Sequence, residues 1–391
     1  MQNNQKIPEG WSVKKLEDCC SMSSGGTPSK SNSDFWNGDI PWISASAMRG
    51  IYFSSSEEKI TELGLQKGSR SVNKGDLLLL VRGSMLWNYI PIGIATRKLA
   101  FNQDVKGISV KNNITNQFLL YWFKTNEHLI KNMVVGTGIG AGKLDTQELN
   151  NIKILLPPLP EQEKIAGILS CWDDGIEKLS ALIEKKKTQK KALMQQLLKK
   201  IKTTNMKRFD EIFKDYSIKN QPCEKLLSAT QDRGVLPRDM LQGRVMSPEG
   251  SLVGYKLVNI GDFVISLRSF QGGFEYSNYK GIISPAYTVL KNIINIDKQF
   301  YRHFFKSYEF IEKYLSIAVV GIRDGKQISY QDLCSVKIPY PDLAEQKSIA
   351  EILSKADEEI ELLNKKLEAF KQEKKALMQQ LLTGKIRVKV N

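Results

Sequence analysis

One nine-residue string occurs twice in this chain. Lys-Lys-Ala-Leu-Met-Gln-Gln-Leu-Leu runs from Lys190 to Leu198 and again from Lys374 to Leu382, an offset of 184 residues. The same offset carries Glu161-Gln162 onto Glu345-Gln346, Ile165-Ala166 onto Ile349-Ala350, and Ile168-Leu169-Ser170 onto Ile352-Leu353-Ser354. Asp173, Ile176, Glu177 and Leu179 recur as Asp357, Ile360, Glu361 and Leu363. An unbroken offset means that neither copy holds an insertion, so both have one length, and repetition on this scale constrains the architecture before any local propensity does. A more divergent block precedes each copy, and traces of kinship survive there. Gly75-Asp76 with Arg82 resembles Gly261-Asp262 with Arg268, and Gln117-Phe118 with Phe123-Lys124 resembles Gln299-Phe300 with Phe305-Lys306. Val134-Val135-Gly136 with Gly142-Lys143 resembles Val319-Val320-Gly321 with Gly325-Lys326. Two related but different blocks suit a protein that reads two related but different targets.

The fixed segments carry a helical seam. Ile165, Leu169, Trp172, Ile176, Leu179, Ile183, Leu193 and Leu197 alternate at spacings of four and three, with Lys186 and Lys190 at two intervening seam positions. The second copy runs Ile349, Leu353, Ala356, Ile360, Leu363, Leu367, Phe370, Leu377 and Leu381, with Lys374 at one seam position. This is a coiled-coil pattern. Pro157, Pro158 and Pro160 precede the first helix, Pro339 and Pro341 precede the second, and Gly384 closes it, as proline and glycine do at helix ends. Each copy is acidic early and basic late: Glu161, Glu163, Asp173, Asp174 and Glu177 come before Lys185 to Lys191, and Glu351 to Glu361 come before Lys365 to Lys375. Parallel pairing would set like charges together, so the pattern predicts an antiparallel pair with a pseudo-twofold axis. The fold class expected is α+β: two mixed α/β blocks, at residues 1–156 and 205–340, separated by two long helices within 157–204 and 341–391. Core helices of two unrelated globular domains are the plainer alternative.

Composition narrows the chemistry. The chain has 391 residues and a formal net charge of +15, with 57 Lys and Arg against 42 Asp and Glu. A surplus of that size favours a polyanionic partner, either nucleic acid or an anionic membrane face. Two histidines, His128 and His303, leave little for a His-rich metal site or a His-dependent triad. Five cysteines without a Cys-x-x-Cys pair argue against a disulfide framework and a zinc ribbon. No apolar run reaches 18 residues and the first residues carry no hydrophobic signal segment, so a soluble cytoplasmic protein is expected. Neither an Asn/Asp-Pro-Pro-Tyr/Phe methyltransferase motif nor a Gly-x-Ser-x-Gly elbow is present. Pro341-Asp342 with Glu345 and Lys347 is too tightly spaced for a nuclease site. The chain is expected to do no chemistry itself.

In the first block, Asp76 to Val81 and Ile152 to Leu156 read as buried strands, and Gln117 to Lys131 reads as one amphipathic helix. Ser24-Gly25-Gly26-Thr27-Pro28-Ser29-Lys30 is a small-residue loop ending in a cation. Such a loop lets backbone N–H groups approach phosphate, or it is a plain surface turn. Gly136 to Lys143 fails the phosphate-loop pattern, because Thr137 stands where the first glycine belongs and Leu144 follows Lys143. Gly321 to Lys326, with Arg323 and Lys326, occupies the matching place in the second block. Both loops are either nucleic-acid contacts or structural turns. Arg49, Arg82, Arg233, Arg238, Arg268 and Gln271 complete the contact candidates beside Lys30 and Lys143, since Arg and Gln make bidentate contacts to guanine and adenine. Arg82 and Arg268 have the competing role of anchoring internal carboxylates.

The whole plan resembles the specificity subunit of type I restriction–modification systems. The resemblance rests on Leu156-Pro157-Pro158-Leu159-Pro160-Glu161-Gln162 leading into Ile165-Ala166, on Ile338-Pro339 leading to Ile349-Ala350, and on Leu377 to Lys385. Pro8-Glu9-Gly10-Trp11 and Gly281 to Tyr287 also look like this family. The resemblance implies two target-recognition domains that each read half of a split site in double-stranded DNA, and two helices that act as spacer and dock two methyltransferase subunits. It implies that S-adenosylmethionine, ATP and Mg belong to partner subunits, the restriction subunits among them, and that this chain has no cofactor. A coiled-coil scaffold that binds protein partners without DNA specificity is the alternative.

Overall fold

A computed structural model of the chain describes residues 7–138, 140–201, 205–231, 233–241, 252–266, 273–315 and 328–390. It divides into two compact units. Residues 1–179 and 366–391 form the first, and residues 180–365 form the second. Four helices carry the argument: α1 (Asn116–Thr125), α2 (Leu159–Lys199), α3 (Lys298–Phe304) and α4 (Leu343–Leu381). The long helices α2 and α4 have 41 and 39 residues, about 60 Å each at 1.5 Å per residue. Each unit contains part of both.

In the first unit, the strand Ser12–Lys15 pairs antiparallel with Lys153–Leu156, tying the start of the variable block to its end. The run of leucines predicted as a strand is one: Leu77–Leu80 is buried throughout, as expected for a central strand covered on both faces. It lies at the centre of a five-stranded sheet with Cys20–Ser24, Val105–Val110, Ile92–Ala95 and Tyr52–Phe53. Against this core packs α1, whose Phe118 to Phe123 are all buried. The single helix predicted from Gln117 to Lys131 is two. Asn126 caps the end of α1, its side-chain Nδ2 donates to the Trp122 carbonyl at 2.8 Å, and a short second helix follows at Glu127–Lys131. An Asn side chain competes with the backbone in this way and ends helices.

The second unit repeats the closure: Met206–Arg208 pairs antiparallel with Lys337–Pro339. Its four-stranded sheet orders Phe213–Tyr216, Thr288–Asn292, Phe263–Ile265 and Phe274–Tyr276. The core is unusually aromatic. Phe305 stands within 4.8–5.1 Å of the rings of Phe263, Phe274 and Phe310, and such pairs add about 0.5–1.5 kcal/mol each beyond their burial.

The duplicated Glu-Gln has a concrete purpose. The side chain of Gln162, fully buried at the start of α2, accepts from the Thr115 backbone N–H at 2.9 Å and donates to the Asn113 and Pro157 carbonyls. Gln346 does the same for the second unit, accepting from the Asp297 N–H at 2.8 Å and donating to the Pro341 carbonyl. Each buried amide thus latches a long helix to the residue that caps its block's helix, because Thr115 and Asp297 are the N-caps of α1 and α3. The expected antiparallel pairing is present within each unit. In the first, Asp173 pairs with Lys374, while Glu161 pairs with Arg387 further along. In the second, Lys186 pairs with Glu359 and Lys190 with Asp357. The three seam lysines that interrupt the apolar pattern are therefore the cross-helix ion pairs.

Candidate nucleic-acid interface

Two of the predicted contact residues come together in the first unit. Strand Gly142–Leu144 pairs with Val134–Gly136 on one side and with Arg82–Gly83 on the other, and its register sets Lys143 directly opposite Arg82. Like charges facing across an antiparallel pair are destabilising. Neither side chain has an ion-pair partner among the described residues, and both are exposed. Repulsion left standing at one edge of a well-packed unit is a broken local rule of the kind that marks functional sites. The pair lines a groove of about 490 Å³ together with Lys106, Gln103, Thr146, Gln147 and the Asp145 carboxylate, which is engaged in capping the Gln147 and Glu148 N–H groups. Lys106 donates to Ser24 Oγ at 2.5 Å, and Gln103 is held through its Oε1 by Thr27 at 2.7 Å, which leaves its amide N–H groups to donate. Three cations and two carboxamides against one carboxylate are groups able to contact phosphates and base edges together.

The glycine loop between Gly136 and Lys143 is the turn of this hairpin. Thr137 donates its N–H and its hydroxyl to the Ala141 carbonyl at 2.8 Å each, and the Gly140 N–H returns to the Thr137 carbonyl. Gly140 has φ +78°, a conformation that favours glycine. The indole of Trp87 donates to the Gly140 carbonyl at 3.0 Å while 43% of the residue stays exposed. The loop therefore acts as a pinned turn that holds Lys143 in place.

The loop from Ser24 to Lys30 packs against its own unit. A side chain at Gly25 would collide with the Phe101 and Asn102 carbonyls, and one at Gly26 with the Gly68 carbonyl. Trp42 donates to the Gly26 carbonyl and Trp36 to that of Ser29, both at 3.0 Å. These glycines serve close backbone packing inside the unit. Lys30 pairs with Glu58 at 3.3 Å and lies over the Trp36 ring, outside the groove. Arg49 is exposed on a separate loop, ahead of Gly50. In the second unit, Arg233 sits exposed at the turn between Leu227–Thr230 and Gly234–Pro237, its N–H donating to Thr230 Oγ1 at 3.1 Å. Arg238 follows that hairpin and is half-buried. Arg268, Gln271, Arg323 and Lys326 lie outside the described residues.

Sequence reasoning missed a pair of carboxylate-centred clusters that brace the blocks. In the first unit, Asp173 takes Lys374 on one oxygen and the Tyr121 hydroxyl of α1 on the other, at 2.8 Å. In the second, Asp357 takes Lys190, and His303 of α3 places Nδ1 at 3.8 Å from its second oxygen. Burial and the Asp173 charge push the Tyr121 phenol well above its ordinary range, so it stays a donor. Burial, with Lys190 next, lowers His303 to about 4, so its imidazole is neutral at pH 7. The available signal was the resemblance of Gln117-Phe118 to Gln299-Phe300, which aligns Tyr121 with His303.

Each unit, then, is an α/β block clamped by an antiparallel helix pair, the arrangement of a paired recognition module. Residues 8–190 and 252–372 match the family described as "Type I restriction modification DNA specificity domain", and the chain belongs to that family. It is 32% identical to the type I restriction enzyme MjaVIII specificity subunit of Methanocaldococcus jannaschii, over 98% of this chain and 95% of that one. It is 31% identical to the EcoR124I/EcoR124II specificity subunit of Escherichia coli over 41% of this chain and 40% of that one. The fold is shared with the solved S subunit of M. genitalium (TM-score 0.56, 16% identity, 98% of both chains). It is also shared with a chain from a structure of the type I R-M system described by its complex assembly and conformational transition (TM-score 0.61, 16% identity, 97% and 100%). Among the described residues no helix is long and apolar enough to cross a membrane.

Proposed function

We propose that this chain is the sequence-specific DNA-recognition subunit of a type I restriction–modification complex. Each variable block reads one half of a split site in double-stranded DNA, and the helix pair sets the unread gap between the halves. Two half-sites on one side of a duplex lie about 34–36 Å apart per helical turn, a distance within the span of helices of this length. The observation that carries the reading is the Arg82–Lys143 pair, without an ion-pair partner among the described residues and held opposite each other by the pinned hairpin in a groove with Lys106, Gln103 and Gln147. The chain itself is non-catalytic: it positions the duplex. Adenine methylation requires the base to leave the stack, a step that falls to two methyltransferase subunits docked on the helices. S-adenosylmethionine, ATP and Mg then belong to those subunits and to the restriction subunits.

Single-molecule sequencing of methylated adenines tests this in cells. Replacing residues 1–156 with the corresponding block of another family member changes one half-site and leaves the other intact. Removing seven residues from both α2 and α4 shortens or abolishes the gap with the half-sites preserved. Altered half-sites with an unchanged gap refute the spacer role. Affinity of the complex for its site falls steeply with salt, as phosphate contacts require. A protein-binding scaffold gives no such slope.

A further inference from the structure

The two copies of the helix pair diverge beside a cavity. In the first unit, Trp172 of α2 and Phe370 of α4 meet edge to face, ring centroids 5.3 Å apart, with Tyr121 nearby on Asp173. In the second unit, the repeat places Ala356 and Lys186 at those helix positions, and His303 stands where Tyr121 does. Lys186 pairs with Glu359 at 2.7 Å. Three large rings are thereby exchanged for a methyl group, an ion-paired chain and an imidazole. Next to this stretch, the second unit holds a cavity of about 470 Å³ walled by the neighbouring Lys190, Asp357 and Ile360 and by His303, the size of a small-molecule site.

Its lining is polar and cationic. The three carboxylates on the wall are each matched by a lysine: Glu184 with Lys187, Asp357 with Lys190, and Glu275 with Lys306. Lys191, Arg233 and Arg302 also line it and have no ion-pair partner among the described residues. Three positive charges are left over. Arg302 lies over the Tyr276 ring at 5.6 Å and donates through Nη1 to Gln299 at 3.1 Å. Those two contacts fix its guanidinium plane and leave its remaining N–H groups available. A planar arginine fork matches phosphate oxygens, and the buried Phe274 and His303 close the floor without adding charge at pH 7.

We propose that this cavity of the second unit is a phosphate-binding site in which Arg302, Arg233 and Lys191 hold the anion. The phosphate comes either from the backbone of bound DNA, which rests on the function proposed above, or from a free nucleotide, which does not. The test uses the full chain assembled with its methyltransferase subunits, with pyrophosphate, ADP and a duplex carrying its methylation site as probes. Lys191 and Arg233 are exposed, so the double variant Lys191→Ala/Arg233→Ala leaves the fold intact. For a free-nucleotide source, calorimetry shows pyrophosphate or ADP binding that weakens at least about tenfold in the double variant and in Arg302→Gln. For a DNA source, the slope of log K against log salt falls by about 0.9 for each phosphate no longer neutralised, while the methylated half-sites stay the same. A complex that binds its DNA with a wild-type salt slope in every variant, and shows no variant-sensitive binding of pyrophosphate or ADP, overturns the site alone. A wild-type complex without any salt-dependent DNA binding overturns the recognition reading instead.

Discussion

Removing the carboxylate of Asp173 should damage the protein far more than removing that of Asp357, although the two are repeat counterparts. Asp173 and Lys374 keep only 19% and 10% of their side-chain surface, whereas Asp357 and Lys190 keep 35% and 21%. Asp173→Ala strands a nearly buried ammonium above the Tyr121 ring and takes the acceptor from the Tyr121 hydroxyl. Breaking one side of a buried pair costs about 3–5 kcal/mol. The Asp357 pair is screened by solvent, and its loss should cost about 1 kcal/mol. Urea titration of the full chain, with hydrogen exchange read over α1 and α3, measures both. Loss at Asp173 should appear as faster exchange in α1, and loss at Asp357 as a smaller change in α3. Lys374 becomes an uncompensated charge only when Asp173 is gone, so Asp173→Leu/Lys374→Met should recover most of the lost stability, a coupling of at least about 2 kcal/mol. Equal losses at the two sites, or a double variant no more stable than Asp173→Leu alone, would refute the reasoning.

Arg82→Ala and Lys143→Ala should each lower the salt slope of DNA binding by about one and alter only the half-site read by the first block, as methylated-adenine sequencing would show. Gly25→Ala should destabilise the first unit by about 1–3 kcal/mol, the usual cost of overpacking, because its Cβ would meet backbone carbonyls that cannot rotate away. A lowered melting temperature checks it. Arg387→Ala should release the C-terminal segment, since Arg387 ties it to Glu161 at 2.7 Å and to the Glu9 carbonyl at 2.9 Å. Faster proteolysis after residue 382 is the readout. His303 is held near 4 when folded against 6.5 when unfolded, so the unfolded state binds the extra proton between those values. Stability should be unaffected by His303 above about pH 6.5 and should fall as pH drops toward 4. The pH dependence of the urea midpoint should be shallower in His303→Gln.

The long helices and their direction were legible because heptad spacing and charge order are local properties of the chain, and the repeat doubled the signal. The carboxylate clusters were not. They join α1 or α3 to a long helix through residues that follow an offset of 182 in the blocks and 184 in the helices, so no single ungapped offset brings Tyr121 and Asp173 into register with His303 and Asp357, and contact across the two segments is a tertiary property. The Arg82–Lys143 pair was visible as two separate cations, but its adjacency depends on a strand pairing between residues about 60 positions apart, and β register is set by tertiary packing. The packing role of Gly25-Gly26 was hidden for a similar reason. Small residues permit close approach of any partner, and here the partner is the protein's own backbone at Phe101 and Gly68.

The three seam lysines also settle a problem that duplication creates. Two near-identical amphipathic helices in one chain invite a parallel, in-register pairing, either within the chain or with a second copy. Such a pairing would set Lys190 against Lys374 and Asp173 against Asp357, because those positions share the 184-residue offset. Antiparallel pairing instead gives Lys374 to Asp173, Lys190 to Asp357 and Lys186 to Glu359. An all-leucine seam would be the more stable one, since burying ion pairs seldom adds net stability. It would also accept either direction. Charged groups at selected seam positions fix orientation at some cost in stability, and here the same carboxylates that reject the parallel pairing also face the block helices through Tyr121 and His303. Beside the Gln162 and Gln346 latches, one pair of aspartates thus couples helix direction to block contact, a physical reason why both copies carry the aspartate although Trp172 and Phe370 of one unit differ from Ala356 and Lys186 of the other.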